Sequence, residues 1–394
     1  KKYAPFWSAG IGWNIHNENF FKGTKISMLK LRYSYGVTGN QEFSAYQAKT
    51  MLQFNTDRLY NSGISAGLMG YGNPDLRWQK QYQSNVGLDL GVAKDRVRLQ
   101  FNYYHKKTEG MLTSVSVAPS LGLPSNNFTS NLGKIRNEGV EVNLNAVPVR
   151  NLEKQLEWSV MLQAAHNRNK IMEISQALKN INDANNADRK TPLAVYEEGE
   201  SMSAIKAVTS LGIDPTTGQE LFLKKDGTVT YVWDAADKVI CGDSEPKVFG
   251  NIGTNLYWKG WNLNLVFKYH LGADYYNSTL ANRVEGADPK YNADRRVLND
   301  RWKEPGQHAL YKNIQEYTTT YISSRFVQKE NTLQLTSLSL SYDLKKEWIS
   351  KFGCSTMRLS FYMNDVFRAS TVKNERGLDY PFQRSFVFGL NIGF

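Results

Sequence analysis

The chain has 394 residues, a formal net charge of +11 and a 12% share of aromatic side chains. Its lysines and arginines are scattered rather than gathered in an arm, which argues against nucleic-acid binding. Cys241 and Cys354 are too few for a disulfide framework, and no His/Cys group has zinc-site spacing, so we expect neither a metal nor a cofactor. The sequence contains no run of about 18 apolar residues, so no transmembrane helix is predicted.

Alternating apolar and polar residues predict β-strands in the first half of the chain. A tight turn is predicted at Ala93–Arg96, and Gly-, Asn- and Ser-rich loops are predicted at about 38–76 and 111–133. The segment from Lys1 to Pro5 has no apolar leader stretch, which suggests a processed precursor or a piece of a longer chain. The predicted strands are Phe6–His16, Leu29–Val37, Asn85–Val92, Val97–Tyr104, Val140–Ala146 and Leu156–Ala164.

The second half begins with a long stretch, about 167–246, that is predicted to be irregular. Within it we expect a short helix at Ile171–Asn180 and a hairpin around Asp226-Gly227. The alternation changes phase near Ser337, which predicts a β-bulge, and Lys345–Ser355 is predicted to be a partly helical connection. The predicted strands are Val248–Leu256, Leu263–Tyr269, Arg325–Leu344, Met357–Asn364 and Arg384–Phe394.

These segments amount to about eleven strands, joined alternately by short turns and long loops. That pattern is typical of an all-β, transmembrane antiparallel β-barrel with long extracellular loops and short periplasmic turns. The apolar face would contact lipid, and the face rich in Gly, Asn, Lys and Arg would line the lumen. Single bacterial chains form barrels with even strand numbers, so an odd count predicts that about half of the barrel is absent from this sequence.

Particular motifs accompany this alternation along the whole chain. They are Leu29–Arg32 with Ser34–Asn40, Asn85–Gly91, Gly242-Asp243 with Pro246, Tyr257–Gly260, Arg325–Tyr342, and an ending with Tyr380-Pro381, Arg384, Phe388–Leu390 and Phe394. Together they resemble the SusC/RagA-type TonB-dependent transporters of Bacteroidetes. The resemblance implies a plugged barrel of about 22 strands. Residues 1–394 would then be the C-terminal portion of that barrel, and the N-terminal plug, the TonB box and the first half of the barrel would lie outside this sequence.

The resemblance also implies a function and a location. It implies an outer-membrane active transporter that imports oligosaccharides or peptides, captures them with a SusD-like surface lipoprotein and is energised through TonB. A passive porin-like or structural outer-membrane barrel and a secreted carbohydrate-binding β-protein remain alternatives. We expect no enzyme, because the five histidines are dispersed and nothing marks a catalytic group.

Inward-facing cations suggest an anionic cargo. Both cysteines are expected to be free, because they would lie at opposite ends of the barrel.

Three sets of residues are the candidate site residues. Aromatic and imidazole side chains near the outer ends are predicted to bind substrate: Tyr104, Tyr231, Trp233, His270, Tyr275, Tyr276 and Trp302. The residues predicted to face the lumen are Arg32, Arg98, Lys268, Arg358 and Asn364. The alternating apolar residues of the last strand are predicted to be an assembly signal read in contact with outer-membrane lipids: Phe386, Phe388, Leu390, Ile392 and Phe394.

Overall fold

The computed structural model describes residues 5–40, 49–60, 63–70, 72–73, 76–116, 127–131, 133–188, 190, 192–288, 290, 294–316, 319–373 and 382–394. Its strands up to the middle of the chain are β1 (Trp7–Asn14), β2 (Ile26–Asn40), β3 (Met51–Tyr60), β4 (Gly63–Gly70), β5 (Gln79–Val92), β6 (Val97–Glu109), β7 (Leu112–Ser116), β8 (Asn127–Asn131), β9 (Gly133–Asn151) and β10 (Leu156–Ile174). The later strands are β11 (Ala204–Ile213), β12 (Glu220–Leu223), β13 (Val229–Thr230), β14 (Lys238–Asp243), β15 (Val248–Trp258), β16 (Trp261–Tyr276), β17 (Val327–Asp343), β18 (Thr356–Ser370) and β19 (Phe386–Gly393).

Eleven of these strands form one antiparallel sheet, as the alternation predicts. The order is β1-β2-β5-β6-β9-β10-β15-β16-β17-β18-β19, so each long strand pairs with the next long strand along the chain. In the described residues, β1 and β19 form the two edges of the sheet and do not pair with each other. The fold is therefore an open antiparallel wall.

The connections are short at one end of the sheet and long at the other, again as predicted. At the short-turn end, Ala93, Lys94 and Asp95 have positive φ angles of 55°, 56° and 64°. The turn between β15 and β16 has φ angles of 49° at Lys259 and 91° at Gly260, the left-handed pair that a two-residue hairpin requires. These turns keep neighbouring strands in register.

The long connections contain more structure than the sequence suggested. The predicted loops at about 38–76 and 111–133 hold the hairpins β3–β4 and β7–β8, whose weak alternation in Gly- and Ser-rich sequence concealed them. The region at about 167–246 holds a four-stranded sheet in the order β13-β12-β11-β14, which includes the hairpin predicted at Asp226-Gly227. Of the loop before β19, residues 374–381 lie outside the described part of the chain.

Two α-helices accompany the strands in the described part of the chain. Helix α1 (Gln176–Ala187) begins later than predicted, because residues up to Ile174 still pair with β9, and the Ser175 side chain then accepts a hydrogen bond from the Leu178 amide at 3.3 Å. Helix α2 (Lys346–Ile349) and a 3₁₀ turn form the predicted helical connection before β18. None of the described helices combines the length and the apolarity needed to cross a membrane.

The predicted bulge in β17 is confirmed. Ser337 pairs with Val266 and Leu335 pairs with Phe267, so Thr336 is the extra residue. Its hydroxyl donates to the Val266 carbonyl at 2.9 Å, which satisfies an acceptor that the bulge would otherwise disturb. The bulge explains why the apolar positions change parity near the middle of this strand.

The apolar face of the sheet is exposed, and the hydrophobic core lies elsewhere. Ile11 is 73% exposed and Phe388 is 75% exposed, although both lie in regular strands. The largest fully buried side chains all lie outside the eleven strands: Phe326, Ile322, Val208, Val284, Val372 and Ser323. Most of them belong to the described residues within 175–247 and 277–326, which we call the connection layer. Both cysteines are free thiols, as predicted, with Cys241 in this layer and Cys354 at the short-turn end.

Candidate functional site

The second face of the sheet is lined by amide, hydroxyl and charged side chains. The register places Gln100 opposite Asp89 on one side and Asn143 on the other. Asn143 lies opposite Gln163, whose side chain accepts a hydrogen bond from Asn251 at 3.2 Å. Such rows of donors and acceptors run across the sheet and can bind water or a polar ligand. This polar face is the first part of the candidate site.

The residues predicted to face the lumen all lie on the polar face by register. Three of the cations carry carboxylate partners: Arg32 bonds Asp89 at 2.7 Å, Arg98 bonds Asp95 at 3.1 Å and Arg358 bonds Asp343 at 2.5 Å. Lys268 lies between two amides, opposite Asn251 and Gln334, and Asn364 lies opposite Ser337. The polar face is therefore less positive than the cations alone suggested.

Tyr104, a predicted substrate contact, is also on the polar face. Its hydroxyl donates to Asn167 at 2.9 Å, and Lys106 lies 4.4 Å above its ring. The ring covers Gly139, where an added Cβ would come within 2.7 Å of the tyrosine Cζ. Only 9% of Tyr104 is exposed, so the structure shows it packed against the sheet. His270 is half-buried on the same face, with its ring 6.5 Å from that of Phe249.

Two predicted substrate contacts are packed into the connection layer. Trp233 donates from its indole to the Ile322 carbonyl at 2.9 Å and stacks on Tyr321, with ring centroids 5.3 Å apart. Tyr276 is packed beside Phe326 in the main buried cluster, with ring centroids 6.0 Å apart. Tyr275, its neighbour in β16, lies opposite Gln328.

The two remaining candidates lie near the surface of the connection layer. The Tyr231 hydroxyl donates to Asp214 at 2.6 Å, and this bond is the leading cause that lowers the pKa of Asp214 to about 2. Trp302 donates to the Pro215 carbonyl at 2.8 Å and covers Gly218. The seven candidates are therefore not gathered in one pocket but are divided between the polar face, the top of β16 and the connection layer.

Sequence reasoning missed a buried ion cluster at the base of the connection layer. The Arg325 guanidinium holds two carboxylates, with contacts of 2.5 and 2.8 Å to Glu285 and of 2.9 and 3.2 Å to Glu220. The exposed fractions of these side chains are 13% for Arg325, 0% for Glu285 and 4% for Glu220. Burial alone would lower the pKa of Arg325, but the bonds to Glu285 and Glu220 outweigh it and raise that pKa.

A neighbouring arginine completes the packing at this point. Arg301 is 4% exposed and donates to the backbone carbonyls of Val284, Glu285, Val297 and Lys312. It thereby fixes the segment that carries Glu285 toward Arg325. No local sequence signal marks this arrangement, because the residues paired with Arg325 are 40 and 105 positions away.

A polar cleft of about 300 Å³ lies where the polar face meets the connection layer. Two acidic residues line its walls, Asp243 of the Gly242-Asp243 motif and Glu245. Glu245 accepts hydrogen bonds from the side chains of Asn167 and Asn169. Asp274 closes one side and pairs with Lys329 at 2.6 Å. In the part of the chain that the structure describes, no group of acidic, histidine or cysteine side chains could hold a metal ion.

A continuous antiparallel wall with an exposed apolar face and a polar opposite face defines the class of protein as a membrane β-barrel. The family described as "TonB dependent receptor-like, beta-barrel" matches residues 2–366, and the chain belongs to this family. It is therefore an outer-membrane protein. The family and the curated relatives are described as receptors, not as enzymes.

Curated relatives match the whole chain but are longer than it. TonB-dependent receptor P3 of Formosa agariphila is 28% identical, and the match covers 100% of this chain and 42% of that protein. TonB-dependent receptor SusC of Bacteroides thetaiotaomicron is 23% identical, with coverages of 100% and 40%. The chain thus spans about two fifths of the length of these relatives.

Solved structures show the same fold. The RagAB peptide importer in its "closed-closed" state has a TM-score of 0.79 at 22% identity, covering 99% of this chain and 43% of that chain. A structure of the RagAB peptide transporter has a TM-score of 0.77 at 22% identity, with coverages of 94% and 40%. This likeness supports the barrel wall as the shared architecture.

Proposed function

We propose that this chain is the C-terminal portion of the barrel of an active outer-membrane transporter that imports oligosaccharides or peptides. The observation that carries the proposal is the unbroken eleven-stranded wall with a polar inner face. A barrel of about 22 strands needs about twice this wall, and barrels of that size hold a plug in the lumen. The chain covers about two fifths of the length of each relative, which agrees with its being one portion of such a barrel.

The partner and the energy source belong to the same proposal. A SusD-like surface lipoprotein would bind over the connection layer and deliver substrate, and TonB would act through a plug outside this sequence. The family name and the RagAB and SusC matches support this arrangement. The polar face offers amide donors and acceptors that suit both sugar hydroxyls and peptide groups.

Uptake by the native bacterium tests the function. Strains with the complete gene, without it, and with the gene but without TonB are given labelled oligosaccharide and peptide pools. We expect accumulation of one pool only when the gene and TonB are both present. A surface lipoprotein should also copurify with the complete protein after mild detergent extraction.

The alternatives give different results in the same strains. Accumulation that persists without TonB would identify a passive barrel and contradict energised import. A protein that is recovered from the medium and stays monodisperse without detergent would contradict the membrane assignment. Copurification without TonB-dependent uptake would leave the partner proposal standing and remove the transport proposal.

Charge reversal on the polar face tests the hypothesis of an anionic cargo. Lys268→Glu places a negative charge between Asn251 and Gln334, where no carboxylate pairs with the lysine among the described residues. We expect several-fold slower uptake of anionic substrates and little change for neutral ones. Arg98→Glu changes the local charge by the same two units and leaves Asp95 without its partner, so it should also slow the uptake of anionic substrates. Uptake of anionic substrates that is unchanged in the Lys268 variant would contradict the hypothesis.

A further inference from the structure

Exposed lysines form an arc at the short-turn end of the sheet. The arc, which we call the basic rim, consists of Lys154, Lys259, Lys345, Lys346 and Lys351. Three successive turns carry it: β9–β10, β15–β16 and β17–β18. These turns adjoin one another because β10 pairs with β15 and β16 pairs with β17.

Backbone hydrogen bonds join the three turns directly. The Lys259 amide donates to the Gln155 carbonyl at 3.1 Å, and the Asp343 amide donates to the Gly260 carbonyl at 2.9 Å. Neighbouring strands lie about 4.8 Å apart, so lysines on adjoining turns can reach one small anion together. The basic rim is therefore a continuous surface rather than separate charges.

The rim has a positive excess. Glu153 and Glu347 are the exposed acidic residues on these turns, so the five lysines retain a net charge of three. The nearby Asp343 is paired with Arg358, and Glu157 is paired with Arg150 at 3.1 Å. Among the described residues, no carboxylate pairs with a rim lysine. The rim can therefore attract an anion without first losing a partner.

Aromatic side chains border the rim, and those of β15, β16 and β17 lie on the apolar face. Trp258 lies opposite Trp261, and the Trp261 ring centroid is 4.6 Å from that of Tyr342. Trp258 is 50% exposed and Trp348 is 52% exposed. Lys259 and Lys345 each lie 5.7 Å from a tryptophan ring, that of Trp258 and that of Trp348 respectively. Tryptophans beside cations are typical of the depth at which lipid headgroups meet acyl chains.

The apolar face continues away from the rim as a column of leucines. Leu256 lies opposite Leu263, and Leu263 lies opposite Leu340. The molecule thus presents cations, then aromatic rings, then aliphatic side chains in one line. A glycerophospholipid has the matching sequence of phosphate, glycerol backbone and acyl chains.

We propose that the basic rim is a binding site for anionic glycerophospholipids of the inner leaflet. The phosphate would lie among Lys259, Lys345 and Lys346, and the acyl chains would lie along Leu256, Leu263 and Leu340. A zwitterionic lipid fits less well, because its own cation meets the net positive charge of the rim. The proposal needs the short-turn end to be periplasmic, and it needs no transport substrate.

Native mass spectrometry of the complete protein tests this site. The protein is titrated with phosphatidylglycerol or with phosphatidylcholine of identical acyl chains. We expect phosphatidylglycerol to bind at least about tenfold more tightly. In K259Q/K345Q/K346Q, its binding should weaken roughly a hundredfold, since each cation near an anionic lipid contributes about fivefold.

The control variant K190Q/K225Q/K303Q removes three exposed lysines from the connection layer and should bind as the unmodified protein does. Equal affinities for the two lipids in the unmodified protein would overturn the proposal even if the rim variant failed to fold. A similar loss in the control would show that net charge alone matters and would also overturn it. Displacement of bound phosphatidylglycerol by an equal concentration of glycerol phosphate would identify a simple phosphate site and contradict a lipid site.

Discussion

Arg325→Met should loosen the connection layer by about 3–5 kcal/mol, the usual cost of leaving a buried charge without its partner. The substitution removes the guanidinium and leaves the side chains of Glu285 and Glu220, 0% and 4% exposed, without this cation. Because Arg325, Glu220 and Glu285 all lie outside the eleven strands of the wall, we expect the connection layer to open locally while the wall stays folded. Hydrogen exchange should then rise at least about a hundredfold in the layer and stay unchanged in β5 and β6.

Two further variants make this experiment specific. Arg98→Met removes an ion pair whose side chains are 60% and 42% exposed, so its effect should stay within about 1 kcal/mol. The triple variant Arg325→Met, Glu220→Gln, Glu285→Gln removes the unpaired charges and should regain much of the lost protection. Equal exchange in Arg325→Met and Arg98→Met would show that the cluster does not hold the layer.

Gly139→Ala and Gly250→Ala should each destabilise the sheet by about 1–3 kcal/mol or more, the range found for overpacked sites. Tyrosines cover both glycines, one on each face of the sheet: Tyr104 over Gly139 and Tyr269 over Gly250. A Cβ at Gly250 would lie 2.7 Å from the carbonyl carbon of Gln163 and 2.9 Å from the Tyr269 hydroxyl. Backbone on the next strand cannot move away without breaking its pairing.

Gly10→Ala is the matched control in β1. There an added Cβ would have its closest neighbour at 3.4 Å, an ordinary contact. The folded protein can be followed as a separate band on unheated gels during a urea titration. The urea concentration at the unfolding midpoint should be lower for Gly139→Ala and Gly250→Ala and unchanged for Gly10→Ala. Three identical midpoints would mean that the tyrosines do not restrict these positions.

One covering tyrosine shows the limit of alternation as a guide. Alternation places Tyr269 on the apolar face, where it lies, yet only 9% of it is exposed. Its hydroxyl donates to the Gln163 carbonyl at 2.9 Å, so the ring lies flat across Gly250. Alternation predicts the face of a side chain, but the exposure depends on what the neighbouring strand places beside it.

On the polar face, too, alternation predicts where a side chain lies but not which side chains pair with it. Parity alone placed Arg32, Arg98 and Arg358 on one side of the sheet, and the register agrees. The neutralisation of Arg32 and Arg358 was not predictable, because Asp89 and Asp343 lie on neighbouring strands, far from them in sequence or across a connection. Charge in a barrel interior depends on pairs between strands, and these follow from register rather than from composition.

The sequence by itself determined the features that depend on neighbouring residues. Apolar and polar side chains must alternate along a strand between two environments, so the eleven strands, the turn at Ala93–Arg96 and the bulge near Ser337 can be predicted from local sequence. Only the tertiary structure decided the connection layer and its ion cluster. Arg325 meets Glu220 across 105 positions, and no local pattern records a contact that chain folding alone creates.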